Sequence, residues 1–336
     1  MYRDLNLNYI RAYISYRLPF ETHEKTFFGD VIPYKNIKDV ELKSGFILNS
    51  FDHSKNYFVK NLKEIELTDF DLFYSDTSHF CISKIDYIRD CGSLINTLNN
   101  SDIDKVVLSR VKKIDLNKTP IDIYNQLNKT YKNSFNYLIS IDNVGSWIGA
   151  TPETLVEIDN KFIKTVSIAG TKTIDNKEWG EKEIEEQQMV SVFIERLLKN
   201  QLTEFKIGDT ETITAGEVQH IKTEISGFLK NKNDWTKTVR ALHPTPATCG
   251  LPKIKAQSII KSIEKHDRKF YTGFLGPISE NCKQLFVNLR CMEVQRNSAF
   301  LFLGGGITAQ SVAKDEWNET ENKAKTLLSV INHDSN

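Results

Sequence analysis

The stretch LFVNLRCMEVQRNSAFLFLGG, residues 285–305, places two apolar segments on either side of a short polar one. Each apolar segment has the length of a β-strand and carries aliphatic and aromatic side chains. The residues Arg296-Asn297-Ser298 between them are of the types that form turns. The stretch therefore predicts a β-hairpin, in which the two strands pair antiparallel.

The same pattern recurs along the chain outward from this stretch. Segments within 137–150 and 155–168 predict two further hairpins, and residues 45–51, 105–114 and 217–228 predict single strands. Helices are predicted by apolar periodicity at 177–200, 254–267 and 313–331. The predicted hairpins come in groups, and the predicted helices lie between these groups. This order predicts an α+β fold of large antiparallel β-sheets packed with helices, and not an alternating βαβ fold.

Domain organisation is predicted to be simple. The chain has 336 residues and shows no internal repeat and no low-complexity linker. We expect one domain over 1–336, with a less regular N-terminal part over 1–100 and a catalytic core over 104–328.

Composition excludes several classes of protein. The formal net charge is zero, which gives no argument for a nucleic acid or a membrane surface as partner. The five cysteines are scattered, which argues against a disulfide framework or a zinc site. The N-terminus has no signal-peptide pattern, so we expect a cytoplasmic protein. The oligomeric state is left open, with a monomer as the working expectation.

Two predicted helices carry carboxylates beside their apolar faces. Glu186 lies four residues before Val190, so it is either a boundary glutamate or a carboxylate that faces an interior site. Glu316, Glu319 and Lys323 share one helix face, which is either a solvated face with an ion pair or a face turned inward. Two inward acidic helices would suit a hard divalent cation such as Mg²⁺.

Three further features leave alternatives open. Arg290 lies in an apolar predicted strand, where it needs either an internal salt bridge or the carboxylate of a ligand. The run Gly304-Gly305-Gly306 leads towards the last helix and is either an anion-binding segment or an ordinary glycine turn. It lacks the spacing of a dinucleotide fingerprint. Lys105 and Glu153 carry no signal by themselves.

Nine segments, read together, resemble the chorismate-utilising enzymes, the family that includes anthranilate synthase component I, and the isochorismate synthases among them most closely. They occur in the family's order across residues 104–328: DKVVLSR, GATPETLVEI, SIAGTK, KEIEEQQMV, VQHIKTEISG, ALHPTPATCGLPK, FYTGFLGPIS, LFVNLRCMEV and GGGITAQSVAKDEWNETENKAKTLL.

The resemblance implies catalytic and metal-binding roles. Lys105 matches the lysine that activates water, and Glu153 matches the general acid that protonates the departing hydroxyl. Glu186 and Glu319 match the Mg²⁺ ligands, and Glu316 matches a nearby acid that supports the metal through water.

It also implies contacts to the substrate chorismate. Tyr271, Arg290 and Lys323 match residues that contact its carboxylates. Five residues match positions that form walls of the site: Gly170, Thr171, Gly304, Gly305 and Gly306. His243 matches a residue that lines the pocket near the reacting ring.

The implied reaction is a Mg²⁺-dependent conversion of chorismate to isochorismate, with water attack at C2 and loss of the C4 hydroxyl. Anthranilate synthases resemble this chain but carry glutamine at the Lys105 position. Aminodeoxychorismate synthases carry a nucleophilic lysine where this chain has Ala169. Salicylate synthase, which goes on to eliminate pyruvate, is the alternative activity, and a silent chorismate-binding protein is an alternative of another class. Whether isochorismate feeds menaquinone, a siderophore or salicylate stays open.

The chain departs from the family pattern next to the first metal ligand. Gln187 replaces a frequent histidine, and Val192-Phe193 replace an acidic pair. We expect these changes to alter the contacts around the ligands and not the ligands themselves.

Overall fold

The computed structural model describes residues 10–174, 178–215 and 218–332. The β-strands are β1 Ile10–Arg17, β2 Lys25–Pro33, β3 Gly45–Asn49, β4 Asn56–Glu64, β5 Lys105–Asp115, β6 Phe135–Ile141, β7 Gly145–Thr151, β8 Thr154–Asp159, β9 Phe162–Thr173, β10 Leu202–Ala215, β11 Val218–Leu229, β12 Gly250–Leu251, β13 Phe274–Ile278, β14 Cys282–Val287, β15 Cys291–Val294 and β16 Ser298–Ile307. The α-helices are α1 Lys84–Asn99, α2 Pro120–Thr130, α3 Glu181–Leu198, α4 Trp235–Leu242, α5 Lys253–Ile263 and α6 Ala313–Ile331.

All these strands belong to one 16-stranded sheet, in the order β10-β11-β9-β8-β14-β13-β3-β4-β2-β1-β6-β7-β15-β16-β5-β12. Each pairing in it is antiparallel, including the predicted hairpins β6–β7 and β8–β9. The predicted α+β class with antiparallel strands is confirmed, and one continuous sheet takes the place of several.

The opening stretch forms the predicted hairpin only in part. β15 and β16 pair with Cys291 opposite Phe302 and Val294 opposite Ala299. The first apolar segment is not one strand, because β14 pairs with β8 and β13 whereas β15 pairs with β7. The chain crosses between these two parts of the sheet at residues 288–290, where Arg290 has φ +48°. The prediction that Arg290 lies within a strand is therefore wrong.

The sheet curls over on itself and encloses an aromatic core. Strands β6 and β14 lie six positions apart in the sheet, yet the rings of Phe135 and Phe286 stack at 4.2 Å between centroids. Tyr16 on β1 and Phe46 on β3 are 5.6 Å apart in the same way. Curling is expected of a sheet this wide, because strand twist accumulates and both faces need cover.

Helices cover the outer faces of the sheet. Leu327, Val330 and Ile331 of α6 are buried in one cluster with side chains of α2, β6, β7 and β16, as the periodicity predicts. Helices α1 and α5 pack in another cluster with side chains of β5. None of the described helices is long and apolar enough to cross a membrane.

The N-terminal part is more regular than predicted. Residues 10–64 contain β1 to β4, and these strands lie in the middle of the sheet between β13 and β6. Helix α5 ends at Ile263 and not at 267, and the strand β10 was not predicted. The first residue of the predicted helix at 177 and that of the predicted strand at 217 lie outside the described residues.

Candidate active site

A cavity of about 90 Å³ lies where the two ends of the sheet face each other. Strands β9 and β11 line one side, β5 and β16 line the other, and α3 and α6 contribute charged side chains. The lining includes these predicted site residues: Glu153, Gly170, Glu186, Tyr271, Arg290, Gly304, Gly305, Gly306, Glu319 and Lys323.

Glu186 lines this cavity and forms an ion pair with Lys105, which lies behind it and does not itself line the cavity. Lys105 is the first residue of β5 and is 1% exposed, and its Nζ donates to Glu186 Oε1 at 2.5 Å. Glu186 projects from α3, and its side chain is 17% exposed. A buried ammonium needs such a partner because desolvation of a lone charge is costly. Glu186 therefore faces an interior site, as one of its two interpretations requires.

Glu153 is a buried carboxyl group on the same cavity. It follows β7 in the turn before β8, and its backbone carbonyl accepts a hydrogen bond from the Val287 amide at 2.9 Å. Burial raises the pKa of Glu153 to about 7, against the opposing effect of Lys105 and Lys323. A carboxyl group with this pKa carries a proton in a useful fraction of molecules near neutrality, as a general acid must.

The glycine run is part of a strand and not a loop before a helix. Gly304 and Gly306 lie opposite Ser109 and Val107 in the β16–β5 pairing, and α6 begins only at Ala313. The glycine run therefore does not lead directly into the N-terminus of α6, and its pairing with β15 ends at Phe302, so anion binding by these glycines stays a prediction. The alternative of a glycine turn is wrong.

The glycines make room for charged and polar side chains. A Cβ at Gly306 would lie 2.5 Å from Lys105 Cε and 2.9 Å from Glu186 Oε1. One at Gly304 would lie 2.7 Å from the Tyr271 hydroxyl oxygen. Because real Cβ contacts are longer, larger residues would push the ion pair and the tyrosine away from the strand.

The charged face of α6 turns towards Gly305. A Cβ at that glycine would lie 3.3 Å from Glu316 Oε2 and 3.5 Å from Glu319 Oε1. Glu316 is 1% exposed, and Glu319 accepts a hydrogen bond from Lys323 Nζ at 2.6 Å. The predicted ion pair exists, and the face that carries it is directed inward.

Glu186 and Glu319 fit a small divalent-cation site. Within the described residues, no three His, Cys, Asp or Glu side chains gather closely enough to hold a metal ion as they stand. Mg²⁺, however, is commonly bound by one or two carboxylates with waters and substrate oxygens. The two glutamates line one cavity, and each is now compensated by a lysine, so a cation could replace the lysines as their partner.

Arg290 reaches the cavity from the crossing between β14 and β15. Its Nη1 donates to the Lys323 carbonyl at 3.3 Å and to Thr326 Oγ1 at 3.1 Å, and burial lowers its pKa. Among the described residues no carboxylate lies within ion-pair distance of this guanidinium, so the alternative of an internal salt bridge is not seen. The geometry leaves its charge for an anionic ligand.

The predictions that His243 and Thr171 line the site have different outcomes. His243 does not line the cavity: it is 2% exposed, its Nε2 lies 3.2 Å from the Phe51 carbonyl oxygen, and its ring packs against His53 and Phe274. The chain after α4 turns so that Ala247 and Thr248 reach the cavity in its place. The backbone of Thr171 pairs with β11, and the placement of its side chain lies outside what the structure describes.

His220 on β11 is a cavity residue that the sequence analysis did not single out. Its Nδ1 lies 2.9 Å from the Gly170 carbonyl oxygen, which can only accept, so the ring nitrogen donates. Burial, with Arg290 nearby, lowers the pKa of His220 to about 4, so the ring is neutral at pH 7. Gly170, with φ +71°, is the extra residue of a bulge opposite His220. The sequence signal that could have identified His220 is a histidine within the predicted strand VQHIKTEISG, where a titratable side chain could face the interior.

The departure at Gln187 is explained by its contacts. Gln187 is 5% exposed and donates from Nε2 to Thr223 Oγ1 at 2.8 Å and to Ser191 Oγ at 2.9 Å. It thus packs α3 against β11 beside Glu186. The expectation that the change at this position alters the contacts around the ligands stays a prediction.

A buried acid, a glutamate paired with a lysine and further inward carboxylates around one cavity form a candidate active site. The family model described as "Chorismate binding enzyme" matches residues 74–332. The chain therefore belongs to the chorismate-binding enzymes.

Curated relatives include two isochorismate synthases. MenF of Haemophilus influenzae is 29% identical over 248 residues, which cover 70% of this chain and 57% of the relative. EntC of Escherichia coli K12 is 29% identical over 245 residues, which cover 68% of this chain and 62% of the relative. The chain thus matches only about three fifths of the length of these relatives.

Solved structures of two activities share the fold. The menaquinone-specific isochorismate synthase MenF of Escherichia coli superposes with a TM-score of 0.81 at 19% identity, covering 95% of this chain and 88% of that one. Anthranilate synthase component I of Streptococcus pneumoniae gives 0.73 at 20% identity, covering 97% and 94%. The fold alone therefore does not select a reaction, and the site residues have to.

Proposed function

We propose that this protein is an isochorismate synthase, which converts chorismate to isochorismate. One observation carries the proposal: Glu153, with its pKa raised to about 7, lines the same cavity as Glu186, whose carboxylate accepts a hydrogen bond from Lys105. The names of the curated relatives support it. Lys105, where anthranilate synthases carry glutamine, and Ala169, where aminodeoxychorismate synthases carry a lysine, argue against the two sister activities.

The proposed reaction adds water at ring C2 while the C4 hydroxyl leaves. Lys105 Nζ accepts a proton from the attacking water, and Glu153 gives its proton to the departing hydroxyl, which leaves as water. The double bonds shift along the allylic system, so atoms and electrons balance without a redox partner. One water enters and one leaves, and proton exchange with solvent restores both side chains.

Glu153 is prepared for this role by its surroundings. Desolvation favours its neutral form and raises the pKa, because the charged form would lie in a site of low polarity. Lys105 must give up a proton before it can accept one from water. In the structure its Nζ donates to Glu186, so the amine has to leave this partner before it can accept a proton from water.

Charged groups on the other walls suit a substrate with two carboxylates. Arg290 and Lys323 supply positive charge, and Tyr271 supplies a hydroxyl group beside Gly304. Bound Mg²⁺, held by Glu186 and Glu319 with Glu316 close by, would neutralise substrate carboxylate charge. The neutral ring of His220 adds no charge of its own to the cavity.

Product analysis tests the proposal. Purified protein with chorismate and Mg²⁺ should form isochorismate with little pyruvate, and removal of Mg²⁺ by a chelator should stop the reaction. Stoichiometric pyruvate with salicylate would indicate a salicylate synthase instead. Chorismate binding without turnover in fresh protein would indicate a silent binding protein.

Three lesser proposals accompany this one. We keep a cytoplasmic location, which the scattered cysteines without a C-x-x-C pair support, because they suit a reducing compartment. Chorismate is the proposed partner, with no nucleic acid or membrane. A monomer is proposed, and light scattering after size-exclusion chromatography would test it.

A further inference from the structure

Arg268 lies behind the proposed active site, and all three nitrogens of its guanidinium donate hydrogen bonds. It is 3% exposed, and Nε and Nη2 donate to Glu264 Oε2 at 2.8 Å and Oε1 at 2.6 Å. Nη2 also donates to the Val107 carbonyl at 2.7 Å. Nη1 donates to the Thr248 carbonyl at 3.0 Å and to Thr272 Oγ1 at 3.3 Å. All five N–H groups of the guanidinium are thereby engaged.

The partners of Arg268 belong to three different walls of the cavity. Val107 is on β5, Thr248 is in the segment after α4, and Thr272 follows Tyr271 in the turn before β13. Arg268 itself does not line the cavity. It joins the three walls from outside, so its loss would change the spacing between them without removing a group that faces the substrate.

Glu264 completes the attachment to β5. Its Oε1 accepts from the Ser109 amide at 2.7 Å and from the Ser109 hydroxyl at 2.8 Å. β12 pairs with β5 only at Val106 and Lys105, and the Val107 amide still reaches the Cys249 carbonyl at 2.8 Å. Beyond that point Arg268 and Glu264 form the hydrogen bonds that a neighbouring strand would otherwise form with this edge of β5. Arg268 donates to the Val107 carbonyl, and Glu264 accepts from the Ser109 amide.

We propose that the Arg268–Glu264 pair is a positioning unit, which sets the distance between the strand that carries Lys105 and the turn that carries Tyr271. Lys105 is two residues before Val107 on β5, and Tyr271 is adjacent to Thr272. The proposal rests on the proposed function, because it assigns these two residues to catalysis and substrate contact. Misplacement of reacting groups by about 1 Å can cost on the order of 100-fold in rate.

The chain offers a matched control in Arg17. Arg17 is 2% exposed, and it donates to the backbone carbonyls of Leu18, Glu21, Tyr131 and Lys132. None of these residues lines the cavity. Arg17→Lys should therefore cost stability, as Arg268→Lys does, with no effect on the spacing of the active-site walls.

The test compares the full-length wild type with Arg268→Lys, Glu264→Asp and Arg17→Lys. The measurements are kcat and KM for chorismate with Mg²⁺, Tm, and amide hydrogen exchange over residues 105–110. Because lysine cannot reproduce a five-donor fork, Arg268→Lys should lower kcat about tenfold or more with KM changed less than about threefold. Exchange over 105–110 should quicken in Arg268→Lys and Glu264→Asp and stay unchanged in Arg17→Lys.

Equal kcat values for Arg268→Lys and Arg17→Lys at similar Tm, with unchanged exchange over 105–110, would overturn the positioning role. If Arg268→Lys does not fold, Glu264→Asp decides, since it keeps the charge and withdraws the carboxylate by one methylene. If the wild type forms no isochorismate, the proposed function fails. The exchange comparison then decides the positioning role alone.

Discussion

At the scale of single residues, the site depends on how burial changes the chemistry of ordinary side chains. Glu153 has no special sequence context, and its raised pKa comes from burial in the folded chain. Lys105 is likewise an unremarkable strand residue until α3 places Glu186 beside it. The strongest tests of the site are therefore substitutions that keep the shape and change the chemistry.

Glu153→Gln should lower kcat by about 100-fold or more, because an amide cannot donate the carboxyl proton and general acid catalysis contributes on the order of 10²–10⁴-fold. In the wild type, kcat/KM should fall as pH rises through about 7, since the acid must be protonated and its raised pKa lies there. Steady-state rates across pH check both points. A wild-type rate that rises steadily from pH 6 to 8.5 would count against Glu153 as the acid.

Lys105→Ala should abolish measurable turnover and leave the fold intact, because the water-activating amine is lost while the β5–β16 pairing remains. Circular dichroism checks the fold, and isochorismate formation checks turnover. Lys112, further along β5 and 32% exposed, provides the control, and Lys112→Ala should keep full activity. Retained activity in Lys105→Ala would refute the assignment of the base.

Gly306→Ala should reduce kcat about tenfold or more, because its Cβ would lie 2.5 Å from Lys105 Cε and force the ion pair aside. Gly92→Ala in α1 is the control, since a Cβ there would meet no atom within 4 Å. Rates and Tm of both variants check this. Equal rates in the two variants would show that the room beside Lys105 does not matter.

At the scale of elements, α3 and α6 bring the acidic residues together from distant parts of the chain. Their amphipathic patterns were visible in the sequence, and α6 begins and ends at the predicted residues 313 and 331. The pattern did not show that the Glu319 face turns towards β16. That orientation follows from burial of Leu327, Val330 and Ile331, which continue the same face.

Glu186→Gln and Glu319→Gln should each raise the Mg²⁺ concentration needed for half-maximal activity by about tenfold or more, because a neutral amide binds Mg²⁺ far more weakly than a carboxylate. Glu185→Gln provides the control on the same helix, since Glu185 is exposed and does not line the active-site cavity. Magnesium titrations of the rate check all three variants. A similar shift in Glu185→Gln would point to general electrostatics and not to ligands.

Several strands that the sequence analysis missed lack a clear period. The strands β1, β2 and β4 lie in the middle of the sheet, and β1 and β4 bury adjacent residues in runs, so polar and apolar residues do not alternate strictly. The edge strand β10 was not predicted for the opposite reason, because much of it is exposed and polar and so carries no apolar pattern. The sequence of 285–294 predicts one strand because both of its parts are apolar. Only the strand pairings show that β14 and β15 lie in different parts of the sheet.

At the scale of the whole molecule, one sheet joins the N-terminal strands to the catalytic core. We therefore propose that the chain is a single domain, and expect one cooperative unfolding transition. Far-UV circular dichroism and the fluorescence of the buried Trp147 and Trp235 should give coincident curves in denaturant. Two separate transitions would show that residues 10–64 and the core unfold independently.

The sequence by itself determined the local features of this protein. Hairpin turns, apolar periods and the order of nine segments are properties of neighbouring residues, so they indicated the fold class, the family resemblance and the charged residues that line the cavity. Only the tertiary structure decided which faces turn inward, that the glycine run is a strand that leaves room for Lys105 and Tyr271, that His220 belongs to the cavity and that His243 does not. The physical reason is that burial, pKa and the pairing of charges depend on contacts between residues far apart in the chain, and these arise only when the two ends of the curled sheet meet.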